Sequence, residues 1–186
     1  MFARTQRLTL RPLWLDDAEA VTNAIAHQSV VINLSSVPWP YSIDDARAWL
    51  SAPKVGRDAT LAILAHEGLP QPRLIGVIGV HAEGDGHELG YWLTPDAWGR
   101  GYATEAGRAM LGVARYGLGL RHLSAGHFVD NPASARVLCK LGFRPTGRVE
   151  PQFSRGRGAE VACVKLAIDL AEIGSTDADH DCRMAA

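Results

Sequence analysis

Apolar and polar residues alternate along Leu8-Thr-Leu-Arg-Pro12, the period-two mark of a half-buried strand that ends near the proline. The period then changes. Behind Asp16-Asp17, the residues Ala18, Val21, Ala24 and Ile25 recur at helical spacing to about His27. Ser42 with Asp45 three residues on has the form of a capping box, and predicts a short helix carrying Ala46, Trp49 and Leu50. Three β-type runs follow, over residues 59–66, 74–81 and 87–93. Their connectors, 67–73 and 82–86, are short and rich in Gly and Pro. Parallel strands need a crossover of roughly a dozen residues, so these runs read as an antiparallel meander.

The second half alternates. Residues 102–117 have helical spacing, with Ala103, Ala106, Met110, Val113 and Ala114 on one side. Residues 123–129 read as a strand. Asn131-Pro132 is a helix start, because Asn caps free N–H groups and Pro fits the first turn. That helix runs to about Leu141 and stops at Gly142, placed as a C′ glycine. Strands over 143–149 and 161–170 complete the order β-α-α-β-β-β-α-β-α-β-β. The pattern predicts an α+β fold in three α/β/α layers, with a mixed, largely antiparallel sheet flanked by helices. One domain is expected over residues 1–170 and a flexible C-terminal tail over 171–186.

The length of 186 residues suits one domain, and 47% apolar with 21% charged residues is ordinary for a soluble globular chain. A net charge of -1 gives no reason to expect nucleic acid or an anionic membrane as partner. Arg144, Arg148, Arg155 and Arg157 gather locally, either as a solvated face or as a phosphate or substrate contact. Three cysteines without CxxC spacing argue against a disulfide framework and against a cysteine-rich zinc site. The N-terminus lacks the apolar stretch of a signal peptide, and no window approaches the ~18 apolar residues of a membrane span. A reducing, cytoplasmic setting is the expectation.

The candidate chemistry centres on Trp98-Gly-Arg-Gly-Tyr-Ala-Thr-Glu105, between a strand and a helix. Glycines there let the backbone approach a ligand, and the first N–H groups of a helix favour phosphate oxygens. A P-loop is excluded because no Gly-Lys-Ser/Thr follows. A dinucleotide fingerprint is excluded because the preceding strand belongs to a meander and position 104 is Thr. Three segments together, Glu88-Leu-Gly-Tyr-Trp-Leu-Thr-Pro95, Trp98 to Ala106, and Asn131-Pro-Ala-Ser-Ala-Arg-Val-Leu-Cys-Lys-Leu-Gly-Phe143, resemble the GNAT superfamily of acetyltransferases. Within it the chain is most similar to the branch of ribosomal-protein N-terminal alanine and serine acetyltransferases. Arg7-Leu-Thr-Leu-Arg-Pro12 and Asp44-Asp-Ala-Arg-Ala-Trp-Leu50 also fit that branch, and the resemblance spans about residues 6–170.

The resemblance implies the GNAT fold, acetyl-CoA as co-substrate, no metal, and an amine acceptor, either a protein N-terminus or a small molecule. It leaves a homodimer open. The superfamily's loop is Gln/Arg-x-x-Gly-x-Gly/Ala, and residues 98–103 match it except for Trp98 at the first position. By that likeness Trp98, Gly99, Arg100, Gly101, Tyr102, Ala103 and Thr104 form the pyrophosphate loop. The Leu93 backbone pairs with the pantetheine as an added strand would. Asn131 hydrogen-bonds the pantetheine arm, and Ser134 lies near the thioester sulfur. Without a cofactor, Asn131 is a helix cap and Ser134 a first-turn residue.

Acetyl transfer to an amine requires a neutral nucleophile, a polarised carbonyl and a stabilised thiolate. Glu88 is the preferred general base, with His81, His87 and His127 as alternatives. Many superfamily members carry an acidic Tyr at the position of Leu138, so that acid is absent here and Ser134 is the substitute. Glu105 reads as structural, held toward the loop. Trp39, Tyr41, Trp49, Tyr91 and Trp92 line an acceptor pocket or fill the core. The alternative function is an acyl-CoA-binding or regulatory module with weak catalysis.

Overall fold

The structure, a computed structural model, describes residues 1–53, 56–66 and 71–171. Eight strands form one sheet in the order β1-β2-β3-β4-β5-β6-β8-β7. They are β1 (Ala3–Arg4), β2 (Leu8–Pro12), β3 (Ala59–Ala65), β4 (Arg73–Glu83), β5 (Gly86–Leu93), β6 (His122–Phe128), β7 (Arg144–Ser154) and β8 (Ala159–Asp169). The helices are α1 (Ala18–Ile25), α2 (Gln28–Val31), α3 (Ile43–Ser51), α4 (Tyr102–Gly112) and α5 (Pro132–Lys140). Apart from its first residue, the expected tail over 171–186 lies outside the described residues, as does part of the 67–73 connector.

Strands β2 to β5 form the antiparallel meander. Helix α4 then carries the chain across, so β6 returns parallel to β5. Strand β8 enters between β6 and β7, antiparallel to both. Helices cover both faces. On one, α4 and α5 bury Met110, Leu138 and Leu141 against Ile78, Leu89 and Leu123. On the other, α1 and α3 bury Val21 and Ala46 against Ala62, Leu64 and Leu74. This is the α+β arrangement of sheet and flanking helices that the periodicity predicts.

Local signals act as anticipated. Ser42 Oγ accepts from the Asp45 N–H at 3.2 Å, and Asp45 Oδ2 accepts from the Ser42 N–H at 2.9 Å, closing the capping box of α3. Two elements, β1 and α2, are too short to leave a periodic signature. Strand β7 runs on to Ser154 rather than ending near Val149, and it contains Pro145 and Pro151. It lies at the sheet edge, where a missing N–H costs no ladder bond. The helix predicted over 102–117 is α-helical to Gly112 and closes with a π turn over Val113–Gly117.

The helix start read at Asp16-Asp17 is a 3₁₀ turn, Leu15–Asp17, ahead of α1. Asp17 is 9% exposed. Its two oxygens accept from the two terminal nitrogens of Arg11 at 2.7 Å each, and Oδ2 also accepts from the Trp14 N–H at 2.8 Å. The Arg11 hydrogen bonds, opposed by burial and helped by the Trp14 N–H, hold its carboxyl below the usual aspartate range. A carboxylate with a lowered folded-state pKa stabilises the fold above its unfolded pKa, and that stability is lost as pH falls through the folded value. Asp17→Asn is expected to cost about 1–3 kcal/mol at pH 7 in urea unfolding. The gap between variant and parent should close as pH is lowered through the depressed pKa, and a gap independent of pH would contradict the ionic role.

Candidate active site

Strands β5 and β6 touch at one register position, Glu88 opposite Ser124. The Ser124 hydroxyl donates to the His87 carbonyl at 3.1 Å, fastening the strands at this point. Beyond it the two parallel strands diverge. The Thr94 N–H donates to the Ile75 carbonyl at 2.8 Å, which fixes the alternation of the β4–β5 ladder. Residues of β5 that bond to β4 alternate with residues that face the other way. Tyr91 and Leu93 are of the second kind, so their backbone groups point into the gap left by β6. An open strand edge is a template for an extended ligand.

At the end of that edge lies the glycine loop. A 3₁₀ turn, Pro95–Ala97, leads into Trp98, whose indole N–H donates to the Leu93 carbonyl at 2.8 Å. The residue that departs from the superfamily pattern thus pins the loop to β5, and it leaves the Leu93 N–H facing the gap. Gly99 and Gly101 have φ of 72° and 79°. Gly101 is the N-cap of α4, and the first intrahelical bond runs from the Glu105 N–H to the Gly101 carbonyl at 3.0 Å. The amides of Tyr102, Ala103 and Thr104 therefore lie ahead of the helical ladder, at the positive end of its dipole. The Tyr102 side chain is buried, so that residue offers the loop only its N–H.

A clamp holds this loop. Glu105 Oε1 accepts from the Thr5 hydroxyl at 2.6 Å and the Arg7 N–H at 2.9 Å, and Oε2 accepts from Arg7 Nε at 2.7 Å. Arg7 also donates to the Arg100 carbonyl at 3.0 Å and lies over the Tyr102 ring, 4.6 Å from its centre. Burial pushes the Glu105 pKa up, but the bonds from Thr5 and Arg7 and the Arg7 charge outweigh it, so the group stays ionised below the usual range. Arg7 is the residue that sequence reasoning passed over; its only signal was its place in the Arg7-Leu-Thr-Leu-Arg-Pro12 motif. Beside the clamp lies an open cavity of about 660 Å³ lined by Gln6, Arg7, Gly101, Thr104, Arg108 and Lys140.

The gap has different chemistry on its two faces. Leu89, Tyr91 and Leu93 belong to the core under α4 and α5. Here Asn131 caps α5, its Oδ1 accepting from the Ser134 N–H at 3.1 Å. The Ser134 hydroxyl lies 2.9 Å from the Tyr91 hydroxyl, so the two share a hydrogen bond across the gap. Burial, countered by the Ser134 bond, pushes the Tyr91 phenol up to about 12. Leu138 is 1% exposed and belongs to the core. A phenol thus reaches Ser134 from β5, while the position on α5 where superfamily members carry Tyr is apolar.

Side chains alternate along a strand, so Glu88, Gly90 and Trp92 face α1 and α3. Trp92 and Tyr41 pack on that core. Burial pushes the Tyr41 phenol up to about 12, reinforced by the Asp45 charge. Trp39 and Trp49 are surface residues at 39% and 43% exposure. Glu88 borders a polar cleft of about 110 Å³ together with His81, His127, Asn33, Ser35 and Gln152. His87 does not line this cleft. Lys165 Nζ donates to Glu88 Oε2 at 3.4 Å. Among the described residues, no group of three or more His, Cys, Asp or Glu is arranged to hold a metal.

The cleft wall comes from the segment after α2, fixed to the β7–β8 hairpin. The Ser154 hydroxyl donates to the Leu34 carbonyl at 2.9 Å and the Arg155 N–H to the Ser35 carbonyl at 2.8 Å. Arg157 donates to the Ile32 carbonyl at 2.6 Å and to both oxygens of Asp130, at 2.6 and 3.1 Å. Those bonds, against a small burial effect, hold Asp130 below the usual range. Of the arginines that gather in sequence, Arg157 and Arg155 are thus committed to the wall, while Arg148 sits 3.9 Å from Glu150.

The family model for the acetyltransferase (GNAT) domain matches residues 7–144. The uncharacterised N-acetyltransferase YoaA of Bacillus subtilis (strain 168) is 32% identical over 151 residues, 77% of this chain and 82% of that one. The crystal structure of a GNAT-family acetyltransferase from Bacillus anthracis superposes with a TM-score of 0.78 at 23% identity, covering 92% of this chain and 100% of that one. Mycobacterium smegmatis RimJ, in complex with CoA-disulfide, superposes at 0.76 with 20% identity, covering 90% of this chain and 84% of that one.

The clamp makes a prediction that needs no ligand. Glu105→Gln should leave the fold intact but loosen the loop, costing about 1 kcal/mol once the solvent exposure of Arg7 is allowed for. Hydrogen exchange at the amides of residues 99–104 should quicken several-fold relative to those of the sheet. Unchanged exchange there would show that the loop holds its shape without the clamp.

Proposed function

Because this chain belongs to the GNAT family of acetyltransferases and is an acyltransferase, we propose that it moves the acetyl group of acetyl-CoA onto a primary amine by direct attack in a ternary complex. The acceptor is a protein N-terminus or a small-molecule amine. The catalytic unit is a single domain over residues 1–170, in a cytoplasmic setting. One observation carries this reading: the β5–β6 gap has an open backbone edge, an amide-rich loop at its end, and different polar clusters on its two faces. The RimJ structure with CoA-disulfide supports CoA as the ligand of such a fold.

The amides of residues 99–104 take the pyrophosphate, and the edge at Tyr91 and Leu93 takes the pantetheine. Arg108 and Lys140 suit the phosphorylated nucleotide end, since both border the cavity beside the loop. Asn131, held at the α5 cap, flanks the pantetheine arm. The acetyl group then sits where the strands diverge, with its sulfur toward α5. The amine approaches from the cleft that holds Glu88, which removes a proton from the nitrogen as it attacks. An α-amino group, with a pKa of about 7.7–8.0 against roughly 10.4 for lysine, asks least of that base. This preference, together with the resemblance to the N-terminal alanine and serine branch, favours a protein N-terminus.

On the other face the C–S bond breaks and the sulfur gains negative charge. Ser134 donates its hydroxyl proton toward that sulfur. Tyr91 donates to the Ser134 oxygen in turn, and so leaves the serine proton free to point at the thiolate. With its pKa at about 12, Tyr91 stays neutral across the working range and keeps its hydroxyl proton for that bond.

Isothermal titration should show acetyl-CoA binding to the parent protein. Gly101→Glu should lower that affinity at least a hundredfold, because it places an anion at the pyrophosphate site and forces a side chain into a left-handed φ. Unchanged affinity with an intact fold would remove the loop from the account. Thiol release with Ala- and Ser-ended peptides and with polyamines identifies the acceptor class; binding without turnover on any amine would contradict the transferase mechanism. Ser134→Ala should reduce kcat about a hundredfold and Tyr91→Phe roughly tenfold, both with the KM for acetyl-CoA little changed. Equal losses in KM would instead make the pair a binding element.

A further inference from the structure

Lys165 reaches Glu88 by an uncommon path. It stands on β8, Glu88 stands on β5, and β6 runs between them. The residue of β6 opposite Lys165 is Gly126. A Cβ at Gly126 would lie 2.8 Å from Cys163 Sγ and 3.6 Å from both Cδ and Nζ of Lys165. The lysine chain thus passes in van der Waals reach of Gly126, where the close neighbour of any added side chain would be Cys163 Sγ, and brings its ammonium 3.4 Å from Glu88 Oε2. Both side chains are largely withdrawn from water, at 17% and 20% exposure. Burying a lysine stem and head costs free energy, and here the Glu88 carboxylate offsets it.

We propose that Lys165 is a positioning residue for acetyl transfer, carried across the sheet over Gly126 to hold the Glu88 carboxylate aimed at the point where the amine attacks. This rests on the reading of Glu88 as the base. The same positive charge also disfavours a protonated amine in the cleft, so it raises the fraction of competent nucleophile. The surrounding groups do not substitute for it. His81 and Glu83 face the cleft from β4, His127 from β6 and Cys163 from β8, while Glu150 of β7 lies close enough to act on Cys163. Among them Lys165 carries the permanent positive charge. Burial alone would pull its pKa down, but the charges of Glu88 and Cys163, the Glu88 hydrogen bond and the Glu83 charge outweigh burial, so the ammonium persists through neutral pH.

The test is kcat and KM with acetyl-CoA and an Ala-ended peptide, for the parent, Lys165→Met, Lys165→Arg, Glu88→Gln and the double variant of Lys165→Met with Glu88→Gln. Binding of CoA by titration calorimetry and the thermal midpoint confirm that each variant is folded. Lys165→Met should lower kcat about tenfold with the KM for acetyl-CoA little changed. Lys165→Arg should recover most of that rate. Glu88→Gln should lose about a hundredfold in kcat, and adding Lys165→Met to it should cost little more. If Glu88→Gln loses rate while a folded Lys165→Met keeps its kcat, or costs the same factor in the Glu88→Gln background, Lys165 is structural and the inference fails alone. If Glu88→Gln keeps its rate, the base assignment fails and takes the inference with it.

Discussion

The site depends on two neighbouring parallel strands that do not stay together. β5 is paired along its length to β4, and β6 along its length to β8, but the two halves of the sheet meet only at Glu88 and Ser124. A strand edge inside a protein normally costs free energy unless its N–H and C=O groups find partners. Here the edge at Tyr91 and Leu93 is kept open, and the Trp98 indole caps one of its carbonyls. The return through α4 permits this. The crossover brings β6 back parallel to β5, and the N-terminus of α4 opens at the end of the unpaired edge.

Everything else is arranged about that opening. The clamp of Thr5, Arg7 and Glu105 ties the loop to the far edge of the meander, about a hundred residues away in sequence. The two faces of the gap are chemically distinct because side chains alternate along β5. Tyr91 projects toward α5 and meets Ser134, while Glu88 projects toward α1 and meets Lys165. A thioester threaded through the gap would have a donor pair at its sulfur and a carboxylate at its attacking amine. The Tyr91–Ser134 pair and the Glu88–Lys165 pair thus belong to opposite faces of one sheet and converge on a single opening.

The sequence revealed the parts that obey local rules. Period-two and helical patterns, the Ser42 capping box, the Asn131 cap and the glycine pair before α4 each depend on residues within a few positions of one another. Glu88 was singled out by motif, and the structure puts it on a cleft. What stayed hidden depends on residues distant in sequence. Nothing local links Arg7 to Glu105, or Lys165 to Glu88. Gly126 reads as an ordinary strand glycine until β8 is placed beside it. Tyr91 was read as a pocket or core aromatic, because its hydroxyl partner lies forty-three positions away on another element. The missing Tyr at Leu138 was visible from the motif, but its local counterpart could be found only from the crossing of β5 beneath α5.

The central claim is that the β5–β6 gap is the cofactor channel. A crystal structure with CoA bound tests it most directly. The account predicts pantetheine lying along the edge at Tyr91 and Leu93, pyrophosphate oxygens on the amides of residues 99–104, and the sulfur within hydrogen-bond reach of Ser134 Oγ. CoA bound elsewhere, or a complex in which β5 and β6 close into a continuous ladder past Glu88, would contradict it.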